Sequence, residues 1–196
     1  MLFRMFAIES NRVGKRRQKL MFIDVKKAHV NPDCEYDNIY VKLPAEANAP
    51  GKCGRLLRWL YGMRGAAQSW EAHYTEKLRQ EGFEAGQSAP TVFFNKAAGT
   101  RVVVHGDDFT FLGFEDELKR MAAKMAEWYE IKMRGIVGTE EGDEKSMVIL
   151  NREIRVTEEG LVYKADPKHA RIIKEEMGLD DDSKGVRSPT WRDTSG

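Results

Sequence analysis

The sequence predicts an α+β fold: an antiparallel sheet covered by helices on one face. Three observations predict it. Short β-rich runs at 91–94, 102–104 and 109–112 are joined by tight, turn-forming segments, which reads as a three-stranded meander. Two windows, 66–82 and 115–128, repeat apolar residues at helical spacing. The elements run strand, strand, strand, helix, meander, helix, strand, hairpin, helix, without the steady alternation of a parallel sheet.

Each element has its own signal. Lys19-Leu20-Met21-Phe22-Ile23-Asp24-Val25 is a nearly continuous apolar run and reads as a buried strand. Asp24 lies near its end, where a carboxylate is costly unless paired, hydrogen-bonded or metal-bound. Asn31-Pro32-Asp33 breaks the chain. Ile39–Leu43 alternates and forms a short strand ended by Pro44, and 45–54 is a loop. Arg55–Leu60 reads as a further strand. A helix begins near Ala66, presents Trp70, Tyr74 and Leu78 on one face and stops at Gly82. After the meander, the helix at 115–128 carries Leu118, Met121, Ala122 and Met125 on one side. Glu115, Asp116 and Glu117 sit at its positive end. Tyr129–Met133 is a strand ended by Gly135, and Ser146–Val156 with Leu161–Lys164 forms a hairpin about Glu158-Glu159-Gly160. The last helix takes Asp166 as cap and Pro167 in its first turn, turns Ile172, Ile173 and Met177 inward, and ends at Gly178. Residues 183–196 are a polar tail. Asn95, Lys96, His73 and His169 read as surface residues without a role.

Composition narrows the function classes. The chain has 196 residues, 32% of them charged and 41% hydrophobic, which fits a globular protein and excludes a disordered one. Two cysteines, Cys34 and Cys53, exclude a disulfide scaffold and make reduced thiols in an intracellular setting the expectation. No run is long and apolar enough to cross a membrane, and the first eight residues read as the tail of a helix rather than a signal peptide. The net charge of +1 is neutral on the question of nucleic acid. Its distribution is not: Arg4, Arg12, Lys15, Arg16, Arg17, Lys19, Lys26 and Lys27 crowd the first 27 residues against Glu9 and Asp24, the footprint of phosphate contact or of a solvated loop.

The candidate chemistry centres on Val102-Val103-Val104-His105-Gly106-Asp107-Asp108-Phe109. A Gly-Asp pair between β-rich runs is a hairpin turn for backbone reasons alone. Two adjacent carboxylates on such a turn can also present oxygens to a divalent metal. The second reading needs a third carboxylate from elsewhere, and Asp24 is the candidate.

These residues resemble a known family, the reverse transcriptases of copia-type retrotransposons. Phe22-Ile23-Asp24-Val25-Lys26-Lys27-Ala28 resembles the strand carrying that family's first catalytic aspartate. Leu60-Tyr61-Gly62-Met63-Arg64-Gly65-Ala66-Ala67-Gln68-Ser69-Trp70 resembles its Leu-Tyr-Gly-Leu-Lys-Gln-Ala-Pro-x-x-Trp motif. His105-Gly106-Asp107-Asp108 falls where the family has Tyr-Val-Asp-Asp. Ile149-Leu150-Asn151-Arg152-Glu153-Ile154 resembles its Phe-Leu-Gly-Ile-Glu-Ile strand, and Gly160-Leu161-Val162-Tyr163 follows as a Gly-Leu-x-Tyr segment.

The resemblance implies a polymerase palm with partial fingers and the start of a thumb. The domain would span 1–182, with a palm core at about 18–165 and a thumb-like helix at about 166–178. It implies RNA-directed DNA polymerase activity with Asp24, Asp107 and Asp108 as catalytic acids. Mg²⁺, or Mn²⁺ in its place, would be held by Asp24 and Asp107 as the main ligands, with the Val25 carbonyl assisting and Asp108 as the less direct third acid. Tyr61, Gly62 and Arg64 would lie under the incoming nucleotide, with Ala28 and His29 beside its sugar. The partners implied are an RNA template, a DNA primer, a dNTP, and other parts of a polyprotein or a second chain, in a cytoplasmic particle or the nucleus. His29 departs from the family's Phe at the sugar, His105-Gly106 from Tyr-Val, and Gly65 and Ala67 from Gln and Pro. Asp24 comes so early that the family's amino-terminal fingers read as largely missing, and the chain as a polyprotein fragment or decayed element. The alternative is a non-catalytic relic or domesticated module binding nucleic acid through the basic amino end.

Overall fold

The computed structural model describes residues 17–47, 49–157, 160–180 and 182–185. The basic run before Arg17, the expected helix tail at 1–8 and most of the polar tail lie outside them.

A six-stranded, wholly antiparallel sheet forms the centre, in the order β4-β5-β6-β7-β1-β8. Its strands are β1 (Lys19–Val25), β4 (Glu84–Ala85), β5 (Val92–Asn95), β6 (Thr100–His105), β7 (Asp108–Gly113) and β8 (Ile131–Val137). A small ladder of β2 (Tyr40–Lys42) and β3 (Cys53–Arg55) lies apart. A three-stranded sheet of β9 (Ser146–Ile149), β10 (Arg152–Thr157) and β11 (Gly160–Lys164) follows. The helices are α1 (Ala66–Gln80), α2 (Glu115–Trp128) and α3 (Pro167–Glu176).

The continuous apolar character of β1 has a direct cause: both of its faces are covered. Met21, Ile23 and Val25 join Phe109, Phe111, Val102 and Val104 against the apolar stripes of α1 and α2. Those stripes are Trp70, Tyr74 and Leu78 on α1 and Leu118, Met121 and Met125 on α2. On the opposite face Leu20, Phe22 and Leu112 pack with Val137 and with Ile154 and Val156 of β10. Each fully buried large apolar side chain contributes roughly 1.5–3 kcal/mol, so β1 is the chief anchor of the core. Helices thus cover one face, as expected, and the small sheet covers part of the other.

Several local expectations change. Leu56–Leu60 is not a strand: after Arg55 the run meets its neighbours through scattered contacts, Leu56 N to Ile39 O, Cys34 N to Leu57 O and an isolated antiparallel bridge between Asp33 and Arg58, and Leu57 stays exposed. β8 does not stop before Gly135 but continues to Val137, because the glycine accommodates a bulge instead of ending the strand. Ser146–Val156 is two strands joined by a tight turn at Leu150-Asn151, both left-handed (φ 47° and 58°), hidden in the sequence by the apolar run before it. The cap of α3 is as expected, with the Asp166 carboxylate accepting from Lys168 N at 2.9 Å. Its apolar residues turn inward only in part: Ile172 is half-buried, Ile173 and Met177 are exposed, and α3 buries no residue fully. Asn95 is buried, donating to Glu81 O (2.8 Å) and accepting from Ala98 N (3.0 Å), and His73 is half-buried against Trp70 and Tyr129. Both cysteines are free, and no described helix is long and apolar enough to cross a membrane.

Candidate active site at the ends of β1 and β7

The β6–β7 hairpin closes with His105 opposite Asp108, leaving Gly106-Asp107 as a two-residue turn. Gly106 is left-handed (φ 63°) and Asp107 is not, the type II′ pattern that requires glycine first. β7 then pairs with β1 in a register that sets Asp24 directly opposite Asp108. Directly opposed residues of an antiparallel pair project from the same face. Phe22–Thr110 and Leu20–Leu112 occupy the same face further along, so the two acids stand at the open end of the face that the small sheet covers.

The turn is tied down from two sides. Val25 N donates to Asp107 O at 2.9 Å, which brings the third acid to the end of β1. The Trp70 indole Nε1 donates to Gly106 O at 2.8 Å. Trp70 is itself buried, edge-on to Tyr74, Phe109 and Tyr129. The hairpin therefore rests on the aromatic core through one indole hydrogen bond.

A cation already faces the acids. Arg134 Nη2 lies 2.7 Å from Asp24 Oδ2 and 4.0 Å from Asp108 Oδ1. Arg134 is the extra residue of the β8 bulge: Ile23 pairs with Met133 and Phe22 with Gly135, leaving no register partner for it. Burial pushes the Asp108 carboxyl above its ordinary value; Arg134 pulls it down, and the charges of Asp107 and Asp24 push it up. Beside the pair lies a cleft of about 280 Å³ lined by Phe22, Asp108, Thr110, Arg134, Leu150 and Asn151, among others.

The donor set suits a hard divalent cation. Mg²⁺ is commonly held by one or two carboxylates completed by water and substrate phosphates, not by an all-protein cage. Asp24 and Asp108 meet that requirement. Among the described residues no three metal-ligating side chains are gathered into a site, and Asp107 presents an exposed side chain on the turn. Val25 buries its side chain in the core, so only its backbone can take part.

The expected nucleotide residues form a second group. Ala28 and His29 sit in a short 3₁₀ turn (Ala28–Val30) that leaves β1 and packs on α1. Ala28 is buried, which leaves contact with a ligand to its backbone. The His29 ring lies 4.6 Å from the Tyr61 ring at a 31° tilt, and its Nδ1 is buried without a hydrogen-bond partner. Tyr61, Gly62 (φ 88°) and Arg64 occupy the exposed turn before α1. Among the described residues no hydrogen bond or ion pair joins this group to the three aspartates.

Two residues at the acids were not foreseen in these roles. Trp70 reads in the sequence as a core position, and nothing local marks its bond to Gly106. Arg134 had a signal that could have found it: a glycine inside a strand pattern points to a bulge, and bulges re-aim side chains beside functional sites.

A family model described as reverse transcriptase (RNA-dependent DNA polymerase) matches residues 5–142, more than half of the chain. No curated protein matches the sequence. Among solved structures, an apo telomerase from Candida tropicalis, truncated from its C-terminal domain, superposes with a TM-score of 0.50 at 12% identity. The match covers 83% of this chain and 38% of that one, so this chain spans well under half of its neighbour's length. At that identity the likeness is one of fold.

Proposed function

This chain belongs to the reverse transcriptase (RNA-dependent DNA polymerase) family, and we propose that Asp24, Asp107 and Asp108 form the centre of a copia-type, metal-dependent nucleotidyl transferase. The observation that supports this most is the Asp24–Asp108 register pair at the open strand ends, with Asp107 held beside it by Val25 N. Such a pair is repulsive by itself and gains from a countercharge. The chemistry that Mg²⁺, or Mn²⁺, supplies at such a position is polarisation of a primer 3′-hydroxyl and neutralisation of charge on a triphosphate.

The chain's own residues have separable parts in this reading. The register pairing favours Asp24 and Asp108 as the main ligand oxygens, in place of the Asp24 and Asp107 that the resemblance implies; Asp107 adds a further one from the turn, and the Val25 carbonyl assists. Trp70 and Val25 N fix the turn so that the acids need little reorganisation. The tilted His29–Tyr61 ring pair, with Gly62 and Arg64, offers an aromatic and cationic surface for the incoming nucleotide. Template RNA and primer DNA would be met by this same open face, and a retrotransposon polyprotein is the expected setting.

Primer extension on a poly-rA template with an oligo-dT primer and Mg²⁺ tests the reading. Extension by the wild type and none by Asp107→Asn is the expected result; equal signals from the two would overturn it. A second reading, a non-catalytic module that binds nucleic acid, is favoured by one observation, the guanidinium already paired with Asp24. It predicts salt-sensitive RNA binding, without extension, that Asp107→Asn leaves unchanged.

A further inference from the structure

We propose that Arg134 is a built-in counter-ion for the Asp24–Asp108 pair, a latch that a divalent cation must displace before it can bind. The inference rests on the reading of these two acids as a cation site. The guanidinium lies 2.7 Å from Asp24 Oδ2 and 4.0 Å from Asp108 Oδ1, so it holds the carboxylate oxygen that a metal would need. The guanidinium takes one lone pair of Asp24 Oδ2 and sets a positive charge where a divalent cation would bring its own, so the two compete at that carboxylate.

The fold places this side chain by a specific device. The β8 bulge leaves Arg134 without a register partner, and the backbone beside it is fixed by Gly135. Gly135 has φ 139°, a conformation open to glycine, and a Cβ there would fall 2.6 Å from Met147 Cε. Lys132, the register partner of Asp24, makes no ion pair with it among the described residues, so the countercharge comes from the bulged position and not from the ladder. The fold also gives the guanidinium somewhere to go. Arg134 lines the cleft next to Asp108, and its side chain is about two-fifths exposed. A rotamer change can carry it from the carboxylates toward Asn151 and the solvent without moving the strand.

The consequence is a metal site weaker than its donor set would give. Without a metal, Arg134 relieves the repulsion between the two acids and holds the strand ends together. With a metal, the same charge competes. Removing Arg134 strengthens metal binding, whereas removing a true ligand weakens it.

Mn²⁺ alone, without nucleic acid or nucleotide, is the probe, followed by electron paramagnetic resonance of the free ion against the full chain. Four proteins are compared: wild type, Arg134→Gln, Arg134→Lys and Asp24→Asn, each checked for folding by circular dichroism. Arg134→Gln is expected to bind Mn²⁺ roughly five- to tenfold more tightly than wild type, the scale of one partly screened ion pair. Arg134→Lys should fall between the two, and Asp24→Asn should lose the tight site. Equal or weaker binding by Arg134→Gln, with Asp24→Asn still losing the site, would overturn the latch and leave the metal reading standing. Failure of all four proteins to bind Mn²⁺ would overturn the metal reading, and the latch with it. If Arg134→Gln does not fold, Arg134→Lys decides alone: tighter than wild type supports the latch, and equal or weaker overturns it.

Discussion

Asp24 on β1 and Asp108 on β7 stand directly opposite each other across one antiparallel ladder, at the point where both strands reach the open end of the sheet. Residues 84 positions apart are thereby fixed in register by the pairs behind them, Phe22–Thr110 and Leu20–Leu112, whose Leu20, Phe22 and Leu112 are buried. A one-residue slip of β1 would move Asp24 to the helix-covered face and expose its apolar set. The core thus specifies the position of the acids.

The indole of Trp70 holds the Gly106-Asp107 turn through Gly106 O. Trp70→Phe keeps most of the apolar contact and removes the donor. It should cost about 1–3 kcal/mol from the lost hydrogen bond and the space left in the aromatic cluster, measured by urea unfolding. Primer extension should fall as well, because the turn carries Asp107.

Gly135 occupies the mirror-extended region at φ 139°. Gly135→Ala should destabilise the fold by roughly 1–3 kcal/mol, since an L side chain at that angle is strained whatever space is available. Met147 can swing its methyl aside, so the backbone angle sets the cost. Thermal unfolding checks it.

Lys19 is nearly buried at the start of β1 and bonds Glu115 (2.7 Å), Glu140 (2.8 Å) and Asp143 (2.7 Å). Burial alone would lower its pKa; the hydrogen bonds it donates to Asp143, Glu115 and Glu140 outweigh that and raise it. Lys19→Met takes the shared cation from three carboxylates, one of them largely buried, and leaves Glu115 its Lys119 partner. The expected loss is roughly 2–4 kcal/mol, below the full penalty of a broken buried pair because Glu115 and Glu140 stay partly in water.

The same cluster predicts a pH dependence. Hydrogen bonds from Lys119 and then Lys19 hold the Glu115 carboxyl at about 2, against an ordinary 4.5. A depressed folded pKa stabilises the fold above the unfolded value, and that contribution is lost as pH falls through the folded one. The melting temperature of wild type should therefore drop more steeply between pH 4.5 and about 2 than that of Glu115→Gln. Parallel curves would contradict the assignment.

His29 keeps a buried Nδ1 unpaired while its ring packs at a tilt against Tyr61. His29→Phe retains the ring contact and removes the unsatisfied atom, so stability should hold or rise by up to about 1 kcal/mol. If the pair sits beside the sugar, the variant should also raise the preference for deoxyribonucleotides over ribonucleotides in primer extension.

Much of this was legible in the sequence, for identifiable reasons. β1 and the meander announce themselves because burial on both faces demands continuous apolar runs, and Trp70-Tyr74-Leu78 announces α1 by its spacing. Asp24 stood out as a charge inside such a run. What stayed hidden depends on pairing rather than on local pattern. Leu56–Leu60 has β-like residues but no regular partner strand. Leu150-Asn151 turns inside an apolar stretch. The face of α3 is apolar, yet no described element covers it. Arg134 belongs to the same class: only the register of β8 on β1 shows that it lies outside the ladder and against Asp24.

The central claim is that Asp24 and Asp108 act as one unit. Primer extension by Asp24→Asn, Asp108→Asn and the double variant, each with Mg²⁺, tests it most directly. Groups that serve one site are strongly non-additive, so the double variant should lose no more activity than the worse single one. Losses that multiply, or full activity in either single variant, would contradict a shared site.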